Sequence, residues 1–287
     1  VDSAEPFHKL FNQGMIQAYA YTDDRGQYVP ADEVVEGPAD ASGEPTFTWN
    51  GEHANREFGK MGKSLKNIVT PDYMYENYGA DTFRLYEMSM GPLDESRPWN
   101  TRNVVGGMRF LQRLWRNVVD ENTGQAHVTE DTPDEKTLKL LNNTIAEVTA
   151  EMEGMRPNTA IAKLIVLNNH LTGLKAVPRA AVEPLILMLA PIAPHICEEM
   201  WSKLGHAESL SAEPWPVADE RYVGHDTVTA VVQIKGKVRA KLEVPVDIDP
   251  ADLEKQALAA VADRLGGKEP RKVIVKAPKI VSIVPAE

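Results

Sequence analysis

The feature that most constrains this chain is a late change in its hydrophobic period. Between residues 104 and 204 apolar side chains recur at intervals of three and four, the spacing of a helix face. Phe110, Leu114 and Val118 make one stripe, and Leu138, Leu141, Ile145, Val148 and Met152 make a second. Ile161, Leu164, Ile165 and Leu171 mark a third. A fourth run, Val182 to Leu204, must kink or split at Pro191 and Pro194. Helices of this length on short connections predict an antiparallel bundle. From Thr227 the period becomes two. Val228, Ala230, Val232 and Ile234 alternate, then Val238, Ala240, Leu242 and Val244, around Lys235-Gly236-Lys237. Asp249-Pro250 opens a helix carrying Leu253, Ala257, Val261 and Leu265, stopped by Gly266-Gly267. Lys272–Ala277 and Lys279–Val284 form a second hairpin around Pro278. The tail therefore reads ββαββ, a small sheet with one face covered by a helix.

The first hundred residues are mixed. A short helix is expected from Glu5 to Asn12, stopped by Gly14, and a strand from Met15 to Tyr21. Glycines, prolines and acidic residues punctuate 22–58, with β-like pieces at Gln27-Tyr28-Val29 and Thr46-Phe47-Thr48-Trp49, which reads as a small β-rich surface insertion. Thr70-Pro71 starts a helix that ends near Gly79. Another runs from Ala80 to Met90, and Pro92–Asn100 is a loop. The chain is an α+β multidomain protein, divided at 1–100, 101–222 and 223–287. Because it opens inside an expected helix, it is expected to be cut from something longer.

With 287 residues, 43% hydrophobic and 25% charged, the composition is that of a globular protein. No apolar run is long enough to span a membrane and no secretory leader is visible, so a cytoplasmic protein is expected. Cys197 is the one cysteine, which excludes an internal disulfide and a cysteine-based zinc site. The net charge of −11 is unevenly distributed: −8 over 1–58, +3 over 59–116, −9 over 117–226 and +3 over 227–287. Local charge governs phosphate affinity, so the two basic blocks keep RNA binding open despite the overall acidity.

The first basic block opens with Gly59-Lys60-Met61-Gly62-Lys63-Ser64-Leu65-Lys66-Asn67. Lysines three apart, with glycines before and between them, predict a mobile cationic loop able to close on a polyphosphate. A Walker A loop is excluded, because position 57 is Glu57 where that pattern needs glycine. The run resembles the Lys-Met-Ser-Lys-Ser signature of class I aminoacyl-tRNA synthetases, with Gly62 in place of the first serine.

Further stretches carry a wider resemblance: Glu5-Pro6-Phe7 with Gln13-Gly14-Met15-Ile16, then Tyr78-Gly79-Ala80-Asp81-Thr82-Phe83-Arg84, then Met155-Arg156-Pro157-Asn158-Thr159-Ala160-Ile161. The last is Leu189-Ala190-Pro191-Ile192-Ala193-Pro194-His195-Ile196-Cys197-Glu198-Glu199-Met200-Trp201. Together they resemble the bacterial leucyl-tRNA synthetase family over essentially the whole chain. Within class I the β-rich insertion and the ββαββ tail point to leucine, with another class I ligase, for isoleucine, valine or methionine, as the alternative inside the class. A free-standing, non-catalytic tRNA-binding module is the alternative from another class.

The resemblance implies an edge of the class I catalytic domain, an anticodon-binding-like helical bundle and a small tRNA-binding tail. It implies ATP and leucine as substrates, tRNA(Leu) as partner, and a monomer. Magnesium would be held mainly outside this chain, and no zinc is implied. Lys60 and Lys63 would hold the triphosphate, with Met61 and Gly62 completing the loop and Ser64 donating to a phosphate oxygen. The family's His-x-Gly-His signature, amino-acid pocket and editing domain are absent, so this chain alone is expected to be inactive.

For tRNA the candidates are Arg109, Arg113 and Arg116 on one helix side, Lys235, Lys237, Arg239 and Lys241 sharing one parity of the first hairpin, and Lys272 and Lys276 on the second. His195 is read as a structural residue capping the helix that follows it. Trp115 and Trp201 are read as core, and Met88, Met90, Met108 and Met188 as core fillers. Glu151 and Glu153 are placed on a solvated face.

Overall fold

The structure is a computed structural model that describes residues 5, 7, 9–224, 227–265 and 270–285. It divides into two compact units, Val1–Tyr222 and Val223–Glu287.

The first unit opens on β1 (Ile16–Thr22), an alternating strand with Ala18 and Ala20 buried. The described residues before it are not helical, so the helix expected at the start is absent there. Gly14 instead donates to Leu93 O at 2.7 Å, committing this stretch to an extended path beside the 92–98 segment. β2 (Tyr28–Val29) pairs with β1, while β3 (Val35–Ala39), β4 (Pro45–Trp49) and β5 (Glu52–His53) form a separate three-stranded sheet. β6 (Asn55–Lys60) returns antiparallel to β1, with Ala18 opposite Gly59 and Gln17 opposite Lys60. The Arg56 guanidinium sits 4.5 Å from both the Tyr19 and Phe47 rings and ties the two sheets together.

α1 (Pro71–Tyr78) begins at an N-cap where Thr70 Oγ1 accepts from Tyr73 N–H, and Gly79, at φ +83, leads directly into α2 (Ala80–Ser89). The following loop contains the two-residue β7 (Arg97–Pro98), parallel to β1. Met74, Tyr86, Trp99 and Val104 make a small core here, against which Met61, Val69 and Phe83 pack.

The helical region follows: α3 (Val104–Val118), α4 (Glu135–Glu153), α5 (Pro157–Thr172), α6 (Arg179–Leu189) and α7 (Pro194–Lys203). Its core includes most of the stripes read from the sequence, with Leu114, Val148, Leu164 and Leu171 fully buried, while Leu138 is half-buried. Trp201 and Met188 are buried in it and Trp115 packs against it half-buried. Met88 and Met108 are also half-buried, and Met90 packs on the smaller core. Glu151 is not merely solvated: its carboxylate accepts from Arg156 and Thr159, which hold its pKa below the ordinary range.

The second unit is one mixed sheet: β8 (Thr227–Ile234), β9 (Lys237–Pro245), then α8 (Pro250–Ala260), the short α9 (Ala262–Leu265), β10 (Lys272–Lys276) and β11 (Ile280–Val284). The strand order is β10-β11-β8-β9, with β11 parallel to β8. Leu253, Ala257 and Val261 bury against Ala230, Val232, Val244, Val281 and Ile283. The single helix expected there breaks at Val261, whose φ of −122 leaves helical space. Gly266-Gly267, expected to stop it, lie outside the described residues.

Candidate functional site: the lysine turn and the basic surfaces

The expected mobile loop is half strand. Lys60 is the last residue of β6 and pairs with Gln17. The next residues, Met61 and Gly62, lead into a 3-10 turn, Lys63–Leu65, closed by Leu65 N–H to Gly62 O at 3.0 Å and Lys66 N–H to Lys63 O at 3.2 Å. Lys66 is left-handed at φ 51, which turns the chain back. Asn67, 4% exposed, then bonds across the turn: Gly62 N–H donates to its Oδ1 at 2.9 Å and its Nδ2 donates to Lys60 O at 3.1 Å. Met61 is anchored in the small core.

This pinning leaves Lys60, Lys63 and Ser64 exposed. Among the described residues neither ammonium has an ion-pair partner, so no carboxylate there competes with an incoming anionic group. Gly62 is extended at φ −163, and an added Cβ would meet only Leu65 side-chain atoms at 3.5 and 3.6 Å. Sequence reasoning assigned Asn67 no role. Its one visible signal was an amide residue closing a run of glycines and lysines.

On α3, Arg109 and Arg116 are exposed and Arg113 is half-buried, all outside the buried stripe of Phe110, Leu114 and Val118. Arg116 Nε donates to Gln112 O at 3.1 Å, while the buried Arg113 Nε has no hydrogen-bond partner.

The basic residues of the first hairpin do not share one face. Val232 pairs with Ala240 but Gln233 pairs with Val238, so Arg239 is an extra residue, a β-bulge. The bulge reverses the alternation. Lys237 falls opposite Ile234 on the side of the sheet that α8 covers, and Val238 turns outward, 52% exposed. Lys235 and Gly236 form a two-residue turn with positive φ at both positions, 49 and 75.

A different alignment appears on the face away from α8. Lys276 pairs with Ile280, Ile280 with Val231, and Val231 with Lys241, one rung crossing four strands with a lysine at each end. Lys272 lies on the same face of β10 as Lys276, and all three lysines are exposed. Strand spacing puts the rung's two ends about 14 Å apart.

His195 is not the cap of α7. The N-cap position is Ala193, whose methyl side chain cannot accept a hydrogen bond. The carboxylate of the distant Asp81 does the capping, accepting from the N–H groups of His195 at 3.3 Å and Ile196 at 2.6 Å. The imidazole Nδ1 of His195 lies 2.8 Å from the same carboxylate.

Comparison with known proteins gives concordant matches. Residues 134–255 match the family of the anticodon-binding domain of tRNA ligase. The chain is 86% identical over 287 residues to the leucine–tRNA ligase of Bifidobacterium adolescentis, covering 100% of this chain and 29% of that protein. It is 59% identical to the leucine–tRNA ligase of Streptomyces coelicolor, covering 100% and 30%. Among solved structures it resembles the Agrobacterium radiobacter LeuRS in its ternary complex with tRNA and LeuAMS. That likeness has a TM-score of 0.52 at 27% identity and covers 78% of this chain and 30% of that one. The chain thus spans less than a third of the length of these relatives.

Proposed function

We propose that this chain, a homologue over its whole length of the leucine–tRNA ligases, supplies such a ligase with its phosphate-binding lysine turn and with tRNA-binding surface. The observation that carries the reading is the turn itself: two exposed ammonium groups with no ion-pair partner among the described residues, on a backbone pinned by Asn67. In the reaction, the leucine carboxylate attacks the α-phosphorus of ATP and pyrophosphate leaves; the leucyl group then passes to the tRNA terminal ribose. Lys60 and Lys63 hold the β- and γ-phosphates and offset the charge that builds on the departing pyrophosphate, and Ser64 donates its hydroxyl to a phosphate oxygen. A preorganised backbone matters here because charge stabilisation loses value when the charges must first be gathered. The magnesium that accompanies ATP is assigned, on the family resemblance, mainly to residues outside this chain.

The tRNA surfaces in this reading are α3, through Arg109, Arg113 and Arg116, and the second unit. There Lys241, Lys272 and Lys276 present one basic sheet face, and Lys235, Lys237 and Arg239 a basic turn and bulge. Such contacts read backbone and shape rather than sequence. The protein acts as a monomer in the cytoplasm, where a lone cysteine stays reduced.

The test uses a full-length ligase carrying this sequence. Lys63→Ala lowers leucine-dependent ATP–pyrophosphate exchange by about two orders of magnitude, the scale of one lost transition-state charge contact, with thermal stability unchanged. Near-normal exchange by that variant removes the turn from the chemistry. The chain alone, lacking the rest of the site, supports no exchange.

A further inference from the structure

The break between α6 and α7 lies over Ala190–Ala193, where Pro191 and Pro194 lack N–H groups and interrupt the helical ladder. Such a break leaves carbonyls behind it and N–H groups ahead of it without helical partners. Two carbonyls of the break and two N–H groups at the start of α7 are bonded by side chains of α2, more than a hundred residues earlier. Arg84 donates through Nη2 to Pro191 O and through Nε to Ile192 O, each at 2.9 Å. Asp81, one turn before it, takes the N–H groups of His195 and Ile196 and the His195 ring. The two residues are three apart and so lie on one side of α2.

Other side chains of α2 lead to the lysine turn. Tyr86 belongs to the small core with Met74 and Trp99, where Phe83 and the turn's own Met61 also pack. A continuous set of contacts therefore runs from Met61 through α2 to the backbone of the α6–α7 break. Charge, burial and geometry all converge there: Asp81 is 9% exposed, and its carboxylate oxygens serve two backbone donors and one imidazole.

We propose that Asp81 and Arg84 are positioning residues for the lysine turn. They clamp α2 to the α6–α7 break, so that the placement of Lys60 and Lys63 is set by the helical bundle on which tRNA docks. The inference rests on the reading of Lys60 and Lys63 as triphosphate ligands. The clamp itself touches no substrate.

The experiment is a double-mutant cycle in the full-length ligase, following leucine-dependent ATP–pyrophosphate exchange well below the melting temperature. Asp81→Asn and Arg84→Met are each expected to lower kcat about tenfold, the cost of a small misplacement of a reacting group. The KM for leucine stays unchanged, since nothing here reaches the amino acid. In a Lys63→Ala background the same substitutions cost less than in the wild type, because one of the two groups they position is already gone and only Lys60 is left to misplace. Wild-type kcat in both folded variants, or equal losses with and without Lys63, overturns the proposal and leaves Asp81 and Arg84 as stability elements only. If Asp81→Asn fails to fold, Arg84→Lys carries the test at an exposed side chain, because it removes the forked donor and keeps the charge. A Lys63→Ala enzyme with normal exchange would show the loop reading itself to be wrong; a crippled Lys63→Ala beside a normal Asp81→Asn overturns the clamp alone.

Discussion

The side chain of Asn67 bonds to the main-chain oxygen of Lys60 across the lysine turn, with Nδ2 to Lys60 O at 3.1 Å, while its Oδ1 holds the N–H of Gly62. One buried amide thus fixes the spacing of a strand end and a 3-10 turn that carry the two candidate phosphate ligands.

Asn67→Ala is therefore expected to cost about 1–3 kcal/mol of stability, because two polar backbone groups are left without their partner. Urea unfolding of the chain measures it. In the full-length ligase the same change is expected to lower adenylate formation as well. An unchanged urea midpoint would show that solvent replaces both bonds without loss.

Two glycines near the turn should respond in opposite ways. Gly62 is extended and has room for a Cβ beside Leu65, so Gly62→Ser keeps stability within about 0.5 kcal/mol. Gly79 sits at φ +83 between α1 and α2, where an L side chain is strained, so Gly79→Ala destabilises by about 1 kcal/mol or more. Thermal melts of both variants decide it, and equal effects contradict the backbone assignment.

For tRNA, the bulge at Arg239 splits the basic residues of the second unit into two sets. Alanine at Lys241, Lys272 and Lys276 tests the open sheet face; alanine at Lys235, Lys237 and Arg239 tests the turn and bulge. Each triple variant of the full-length ligase is expected to flatten the dependence of log K on log salt by about 2, at 0.7 or more per lost phosphate contact. Leucine activation without tRNA continues in both. A slope unchanged by either variant assigns that set to solubility, as lysines at sheet edges also discourage aggregation.

His170 makes a pH prediction. Burial, with the Lys136 charge adding to it and Asp134 opposing it, pushes the imidazole below its ordinary value of 6.5, and Nε2 lies 2.8 Å from Thr137 Oγ1. As pH falls past 6.5 the unfolded chain takes up this proton before the folded one does. The stability that His170 contributes is thus fully present above 6.5 and is lost as pH drops toward the lowered folded value. Denaturant midpoints at about pH 7.5 and about pH 5.5 should differ more for the wild type than for His170→Gln. Equal differences remove His170 from the acid sensitivity.

What could be read directly from the residues was local. Thr70-Pro71 and Asp249-Pro250 mark helix starts because cap chemistry spans only three or four residues. Leu141, Ile145 and Val148 identify a core face because helical spacing is a neighbour relation. The paired lysines of the turn were visible for the same reason.

Longer-range relations were decided by the tertiary structure alone. Lys241 and Lys276 share a rung only because β11 lies parallel to β8, a pairing set by closing the sheet over Leu253 and Ala257. The parity of the first hairpin failed at Arg239 because one inserted residue flips every side chain beyond it, and no local pattern announces it. Nothing local gave Asp81 and Arg84 a role; their partners are backbone groups beside two prolines of a segment a hundred residues away. Hydrophobic periodicity carries which face is buried; which polar groups meet depends on where buried faces bring the backbone, and that is settled only when the chain closes on itself.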